Sequence, residues 1–226
     1  MIYVVQHNDE MYVSLMEGYE TIKVGKLFED DGRDNINYLN PYINETTALY
    51  DIWKNHNEDI VGMIHYRRVF FTDNDFRALT FDKAKEFMKS KKLICTKYHT
   101  LGESTIYDYF RYSIQITSPR CLPTFDKYML ILEEKDPKVI EYFHTHNRFF
   151  ARNMFIAKKE VIDKYCEWLF PIIIPMTEQF IEEDIKKGKV LGQERLLGHF
   201  VERMFSYWIE EVLGVEDVGA LHYLTY

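Results

Sequence analysis

The sequence predicts a single-domain α/β fold with a mostly parallel central sheet. Three observations carry this. Short apolar runs of four or five residues, too short for helices, recur at 2–6, 60–64, 93–96 and 153–157. Stretches with apolar residues at helical spacing lie between them. No repeat and no Gly/Ser/Pro-rich linker divides the 226 residues, a length that buries one sizeable core. Strands alternating with helices imply a largely parallel sheet, with ligands at the carboxyl ends of its strands.

Each element follows from local chemistry. Residues 2–6 are β-branched and apolar and end at the polar His7-Asn8-Asp9-Glu10, which reads as a first strand. Residues 21–24 read as a second. Residues 29–40 hold Asp, Asn, Gly and Arg with almost no apolar side chain, the composition of a loop. Asn40-Pro41 supplies an N-cap and a first-turn proline for a helix expected to run unbroken to about Asn55. Residues 60–64 form a continuous apolar run that suits a strand covered on both faces. His65-Tyr66-Arg67-Arg68 follows, then Val69-Phe70-Phe71. Helices are expected over 81–90, 124–134, 136–144, 159–170 and 193–213, and strands over 93–96 and 153–157.

Composition narrows the function. A net charge of -8 argues against a general nucleic-acid binder, which neutralises phosphates with Lys and Arg. Cys95, Cys121 and Cys166 are too few and too scattered for a disulfide framework or a zinc site, and read as buried free thiols. The N-terminus lacks the features of a signal peptide. The longest apolar run, residues 168–176, is broken by Pro171 and Pro175, so no transmembrane segment is expected. A cytoplasmic protein, with room for peripheral membrane contact, is the expectation. The 17 Tyr and 16 Phe suit sugar stacking and core filling equally.

The densest chemistry lies at residues 65–68. On an extended chain alternate side chains share a face, so His65 and Arg67 are expected to point one way and Tyr66 and Arg68 the other. Such a strand end offers charge-assisted contacts to phosphate; ordinary ion pairs would explain the same arginines equally well. The acidic loop at 29–35, with Asp34 and Asn35, has donors and acceptors for a base or ribose, although a bare charge run reads first as a solvated loop. Asp73-Asn74-Asp75 has the Asp-x-Asp spacing of a metal motif, in a turn-like setting where chance is the simpler explanation. Arg195, His199, Glu202 and Ser206 share the polar stripe of the last helix, which reads as a solvated face. His144-Thr145-His146 lacks an acidic partner set for a metal. P-loops, dinucleotide fingerprints and Ser or Cys nucleophile motifs are absent.

Three blocks carry a resemblance. The first holds Asp34-Asn35-Ile36, Asn40, Glu45-Thr46-Thr47-Ala48-Leu49-Tyr50, Trp53-Lys54-Asn55, Asp59-Ile60-Val61-Gly62 and His65-Tyr66-Arg67-Arg68. The second holds Asn153-Met154-Phe155-Ile156, Lys158-Lys159-Glu160 and Tyr165-Cys166-Glu167-Trp168-Leu169-Phe170, and the third Arg195, Gly198, Glu202-Arg203 and Trp208. In this order they resemble a bacterial family of capsular and exopolysaccharide glycosyltransferases, long catalogued only as a domain of unknown function. Asn44 departs from it, standing where a cysteine is usual, and residues 72–150 match loosely, with Thr105-Ile106-Tyr107-Asp108-Tyr109 the best fragment.

The resemblance implies a GT-A-like, Rossmann-like fold and sugar transfer from a nucleotide donor, a UDP-hexose by expectation, to a glycan or lipid-linked glycan. Residues 1–71 would form the donor half and residues 72–226 the acceptor half. His7, Asp34, Asn35, Glu45, His65, Tyr66, Arg67, Arg68 and Asn153 are the candidate donor-binding residues, with Glu45 bracing Arg67 or Arg68. An inverting enzyme needs a carboxylate base, for which Asp108, Glu194 and Glu202 are candidates; a retaining one manages without. No metal ligand is assigned. Manganese or magnesium stays open as cofactor, with the basic residues expected to take over charge neutralisation. A non-catalytic sugar-nucleotide module and a metal-dependent hydrolase built on His65, His144 and His146 are the alternatives.

Overall fold

The computed structural model describes residues 1–72, 77–186 and 195–226. Asp73-Asn74-Asp75 and Glu194 lie outside the described residues. The strands are β1 (Ile2–Gln6), β2 (Tyr19–Lys23), β3 (Ile60–His65), β4 (Arg68–Phe71), β5 (Leu93–Thr96), β6 (Tyr98–Thr100), β7 (Arg148–Phe150), β8 (Phe155–Lys158) and β9 (Val218–Thr225). The helices are α1 (Asn40–Ile43), α2 (Thr46–Asn55), α3 (Phe81–Phe87), α4 (Ile106–Thr117), α5 (Leu122–Lys135), α6 (Pro137–Thr145), α7 (Lys159–Lys186) and α8 (Leu196–Tyr207), the last continued by a π-helical turn at Trp208–Leu213.

A seven-stranded sheet runs in the order β2-β1-β3-β8-β5-β9-β4. It is mixed, which corrects the mostly parallel, Rossmann-like sheet expected. β1 is parallel to β2 and β3, and β5 to β9, but β8 runs antiparallel to both β3 and β5, and β4 antiparallel to β9. The direction of β8 is the physical cause. It enters the sheet from β7 through a short turn instead of a crossover helix.

The sheet also curls into a half-barrel. β4 begins three residues after β3 ends, yet β8, β5 and β9 stand between them in the sheet. In a flat sheet, four spacings of ~4.8 Å would separate them by ~19 Å. Three residues reach at most ~11 Å. Only a curled sheet closes that gap.

Period-two alternation gives the sheet two covered faces. Tyr3 and Val5 of β1 join Met63, Phe155 and the helices α1, α2 and α4–α8 in the larger core. Ile2 and Val4 turn the other way, to Ile64, Ile156, Tyr66, Leu79, Ala84 and Met88. The expected helix from Asn40 is interrupted at Asn44, whose φ of 52° ends α1 and lets α2 start in a new direction. α7 runs far past Phe170 despite Pro171 and Pro175, because Ile172, Ile173, Met176 and Phe180 continue its buried stripe. No helix among the described residues is long and apolar enough to cross a membrane.

Candidate functional site

Topology assembles the site at the carboxyl end of β3. β1 and β3 are parallel with Val5 opposite His65, so His7 emerges beside His65 and Tyr66, and its ring meets Tyr66 edge-on at 4.9 Å between centroids. β8 runs the other way, with Met63 opposite Phe155; two residues further in the same register, Asn153 comes to His65. The turn from β7 to β8, Ala151-Arg152-Asn153, therefore faces the His65–Arg68 turn.

The strand ends at His65, so Tyr66 and Arg67 occupy a turn and the alternation expected for an extended chain fails. His65 meets Arg68 instead of sharing a face with Arg67. Arg68 Nη1 donates to His65 Nδ1 at 3.1 Å, and His65 Nε2 lies 2.7 Å from the Arg152 carbonyl. A carbonyl only accepts and a guanidinium only donates, so the proton sits on Nε2 and the imidazole is neutral. Burial pulls its pKa down, aided by Arg68 and opposed by Glu45. His7 is likewise held down by burial and then by Arg195 and Arg67.

Arg67, Arg68, Arg152 and Arg195 thus share one region of field: Arg152 and Arg67 both depress Arg68, after burial, and Arg195 and Arg67 both depress His7. None of the four guanidinium groups forms an ion pair among the described residues, and Arg68 Nε is buried without a partner. This disfavours the ion-pair explanation of the strand-end arginines. Glu45 does not pair with Arg67 or Arg68 as expected. It accepts from Asn153 Nδ2 at 3.2 Å and stands 3.9 Å from His65 Nε2.

Beyond Arg152 opens a cavity of about 260 Å³ walled by Tyr109, Phe110 and Phe149, with Arg152, His199 and Glu202 among its polar lining. It is smaller than the roughly 300–1,000 Å³ of drug-sized sites. The polar stripe of the last helix is solvated only in its first turn: Arg195 and His199 are exposed, whereas Ser206 is buried and Glu202 nearly so, because that end of the stripe packs against the β7–β8 turn. Glu202 Oε1 accepts from the Arg152 backbone N–H at 2.7 Å, while Oε2 lies 3.7 Å from Arg203 and 3.8 Å from His199. Burial pushes its pKa up, but His199, Arg203 and the Arg152 amide outweigh that and hold it at about 2. Arg203 is buried over the Phe110 and Phe149 rings, and burial lowers it to about 10 against the pull of Glu202.

Other sequence candidates fall elsewhere. Asp108 is exposed and tied to Thr105, the N-cap of α4. Asp34 accepts from Tyr50, and Asn35 lines a second cavity, of about 340 Å³, with Tyr3, Lys23, Arg33, Asp51 and His56. His144 packs on Tyr107 and His146 on Tyr142. Among the described residues no group of three or more His, Cys, Asp or Glu side chains is placed to hold a metal ion. Sequence reasoning missed Arg152 and Tyr223. For Arg152 the available signal was Asn153 after it, a residue type that tolerates the left-handed backbone of a tight strand-to-strand turn; Tyr223 carried none.

A family model matches most of the chain. The model described as "Domain of unknown function (DUF4422)" matches residues 1–212, and the chain belongs to that family. Among curated proteins no relative matches. Among solved structures the chain is similar to "WbbM bifunctional glycosytransferase apo structure", with a TM-score of 0.75, 21% identity and 99% of this chain covered. The chain spans 45% of that protein's length, and at this identity the likeness is one of fold.

Proposed function

We propose that the protein transfers a sugar from a nucleoside-diphosphate sugar, a UDP-hexose first among candidates, to a hydroxyl of a glycan or lipid-linked glycan. One observation carries the reading: four arginines without ion-pair partners among the described residues converge on His7 and His65 beside a ring-walled cavity. Buried or crowded guanidinium groups without counter-charge cost folding energy, which a bound diphosphate offsets through charge-assisted hydrogen bonds. The departing diphosphate gains negative charge as the glycosidic bond to it breaks, so the same groups lower the barrier.

Residues 1–71 supply His7, His65, Arg67 and Arg68, while every residue lining the smaller cavity comes from 72–226. That division supports a donor half and an acceptor half. The second cavity, with Asn35 on its wall and Lys23 in register with Gln6 one residue before His7, is our candidate place for the nucleoside. The likeness in fold to a glycosyltransferase supports the reading. A cytoplasmic placement, peripheral to the membrane for a lipid-linked acceptor, goes with it. Incubation with a panel of UDP-, GDP- and dTDP-hexoses tests it: release of the nucleoside diphosphate is expected. Binding without release would favour a non-catalytic module, and neither binding nor release would end the proposal.

A further inference from the structure

We propose that Arg152 is a catalytic residue of this site, and that Glu202 is a positioning residue that aims it instead of the base. This rests on the nucleotide-sugar reading above. Arg152 has φ 84° and Asn153 has φ 45°, two consecutive residues in the left-handed region. Arginine has no preference for that region, and such a conformation persists only where its surroundings over-determine it.

Here they do. The Arg152 N–H donates to Glu202 of α8, its carbonyl accepts from His65 of β3, and its Nε donates to the Tyr223 hydroxyl of β9 at 3.1 Å. On either side, Thr96 Oγ1 of β5 donates to the Ala151 carbonyl at 2.7 Å, and Asn153 Nδ2 donates to Glu45 before α2. Five separate elements fix three residues. Among the described residues the Nη groups of Arg152 have no carboxylate partner, and Arg152 stands where the basic cluster meets the cavity.

That is the place for the group that meets the leaving oxygen. In the transfer, the donor C1–O bond breaks with its electron pair going to the diphosphate oxygen. The acceptor oxygen bonds to C1, and its proton passes to the diphosphate or to water. A guanidinium held at the developing negative charge needs no reorganisation at that moment. Glu202 is badly disposed to take the proton. One oxygen is occupied by the Arg152 amide, and the other faces Arg203 and His199, so every charged neighbour favours its ionised form.

The test uses the hexose-nucleotide that the wild-type chain turns over most rapidly, with inorganic pyrophosphate as the binding probe. R152M is expected to lower kcat ~10²–10³-fold, the scale of losing one transition-state donor, with KM changed less than tenfold. E202Q keeps an oxygen for the Arg152 amide and is expected to stay within ~10-fold in kcat with an unchanged pH profile. Y223F, which removes only the hydroxyl and keeps the ring packed on the second core, should lower kcat by up to ~10², through misplacement of Arg152. Wild-type kcat in R152M would overturn the proposal. So would a 10²–10⁴-fold loss in E202Q with disappearance of the acid limb of the profile, which marks a base. A wild-type chain that neither binds pyrophosphate nor releases a nucleoside diphosphate would instead remove the reading beneath it.

Discussion

Replacing Glu202 by Gln removes one charge from the most densely bonded point of the site and keeps its shape. The carboxyl is held at about 2 against an ordinary 4.5, and its side chain is only 14% exposed. That gap, at ~1.4 kcal/mol per tenfold change in proton affinity, gives the ionised group ~3–4 kcal/mol of stabilisation in the folded state. The pair looks less favourable from Arg203, where burial outweighs Glu202. Glu202 is the better guide, because the Arg152 amide and His199 also support it and because its removal leaves Arg203 buried without counter-charge. Breaking a buried pair in this way costs ~3–5 kcal/mol, in agreement. E202Q should therefore lose ~3 kcal/mol at pH 7, about 1 M or more in urea midpoint. A depressed carboxylate contributes fully above its unfolded value and loses that contribution as pH falls towards its folded value. The wild-type advantage should be constant above pH ~5.5 and fall to less than half by pH 3. Urea titrations of both proteins at pH 7, 5, 4 and 3 measure it. A gap below ~0.5 kcal/mol at pH 7, or one unchanged down to pH 3, would refute the reasoning.

R67A should weaken UDP and pyrophosphate binding alike, by ~10–100-fold in calorimetry, while leaving the melting temperature in place, since Arg67 is exposed and has no ion-pair partner among the described residues. Equal affinity in R67A would remove Arg67 from the phosphate site. G62A should destabilise by ~1–3 kcal/mol, because a Cβ there would stand 3.0 Å from both Ile2 and Ile156 side chains and 3.2 Å from the Phe155 carbonyl oxygen; thermal melts would show a fall of several degrees. Turnover should survive excess chelator, since the arginines supply the charge that a metal would. Complete loss restored by manganese or magnesium would contradict that.

The strands with unbroken apolar runs were legible because burial on both faces leaves only one composition: β1, β3 and β5 stand within a residue of where the sequence puts them. Their directions were not legible. Nothing in residues 153–157 distinguishes a strand fed by a helix from one fed by a short turn, and that single difference makes the sheet mixed. β9 escaped because its residues alternate between exposed and half-buried, leaving no apolar run to read. At the site, the face-by-face grouping expected for His65–Arg68 fails, since alternation stops where the strand does. Arg152 is a lone arginine in a loop by sequence; its place depends on the antiparallel register of β8 with β3 and on Glu202, fifty residues away. Glu202 was legible as a candidate, while its chemistry was set by three neighbours that only the fold brings.

The most direct measurement is a crystal structure of the chain with UDP bound. The account predicts the diphosphate between Arg67, Arg68 and Arg152 at the carboxyl ends of β1 and β3, with the nucleoside directed towards Asn35. A diphosphate bound elsewhere, with those guanidinium groups untouched, would contradict it.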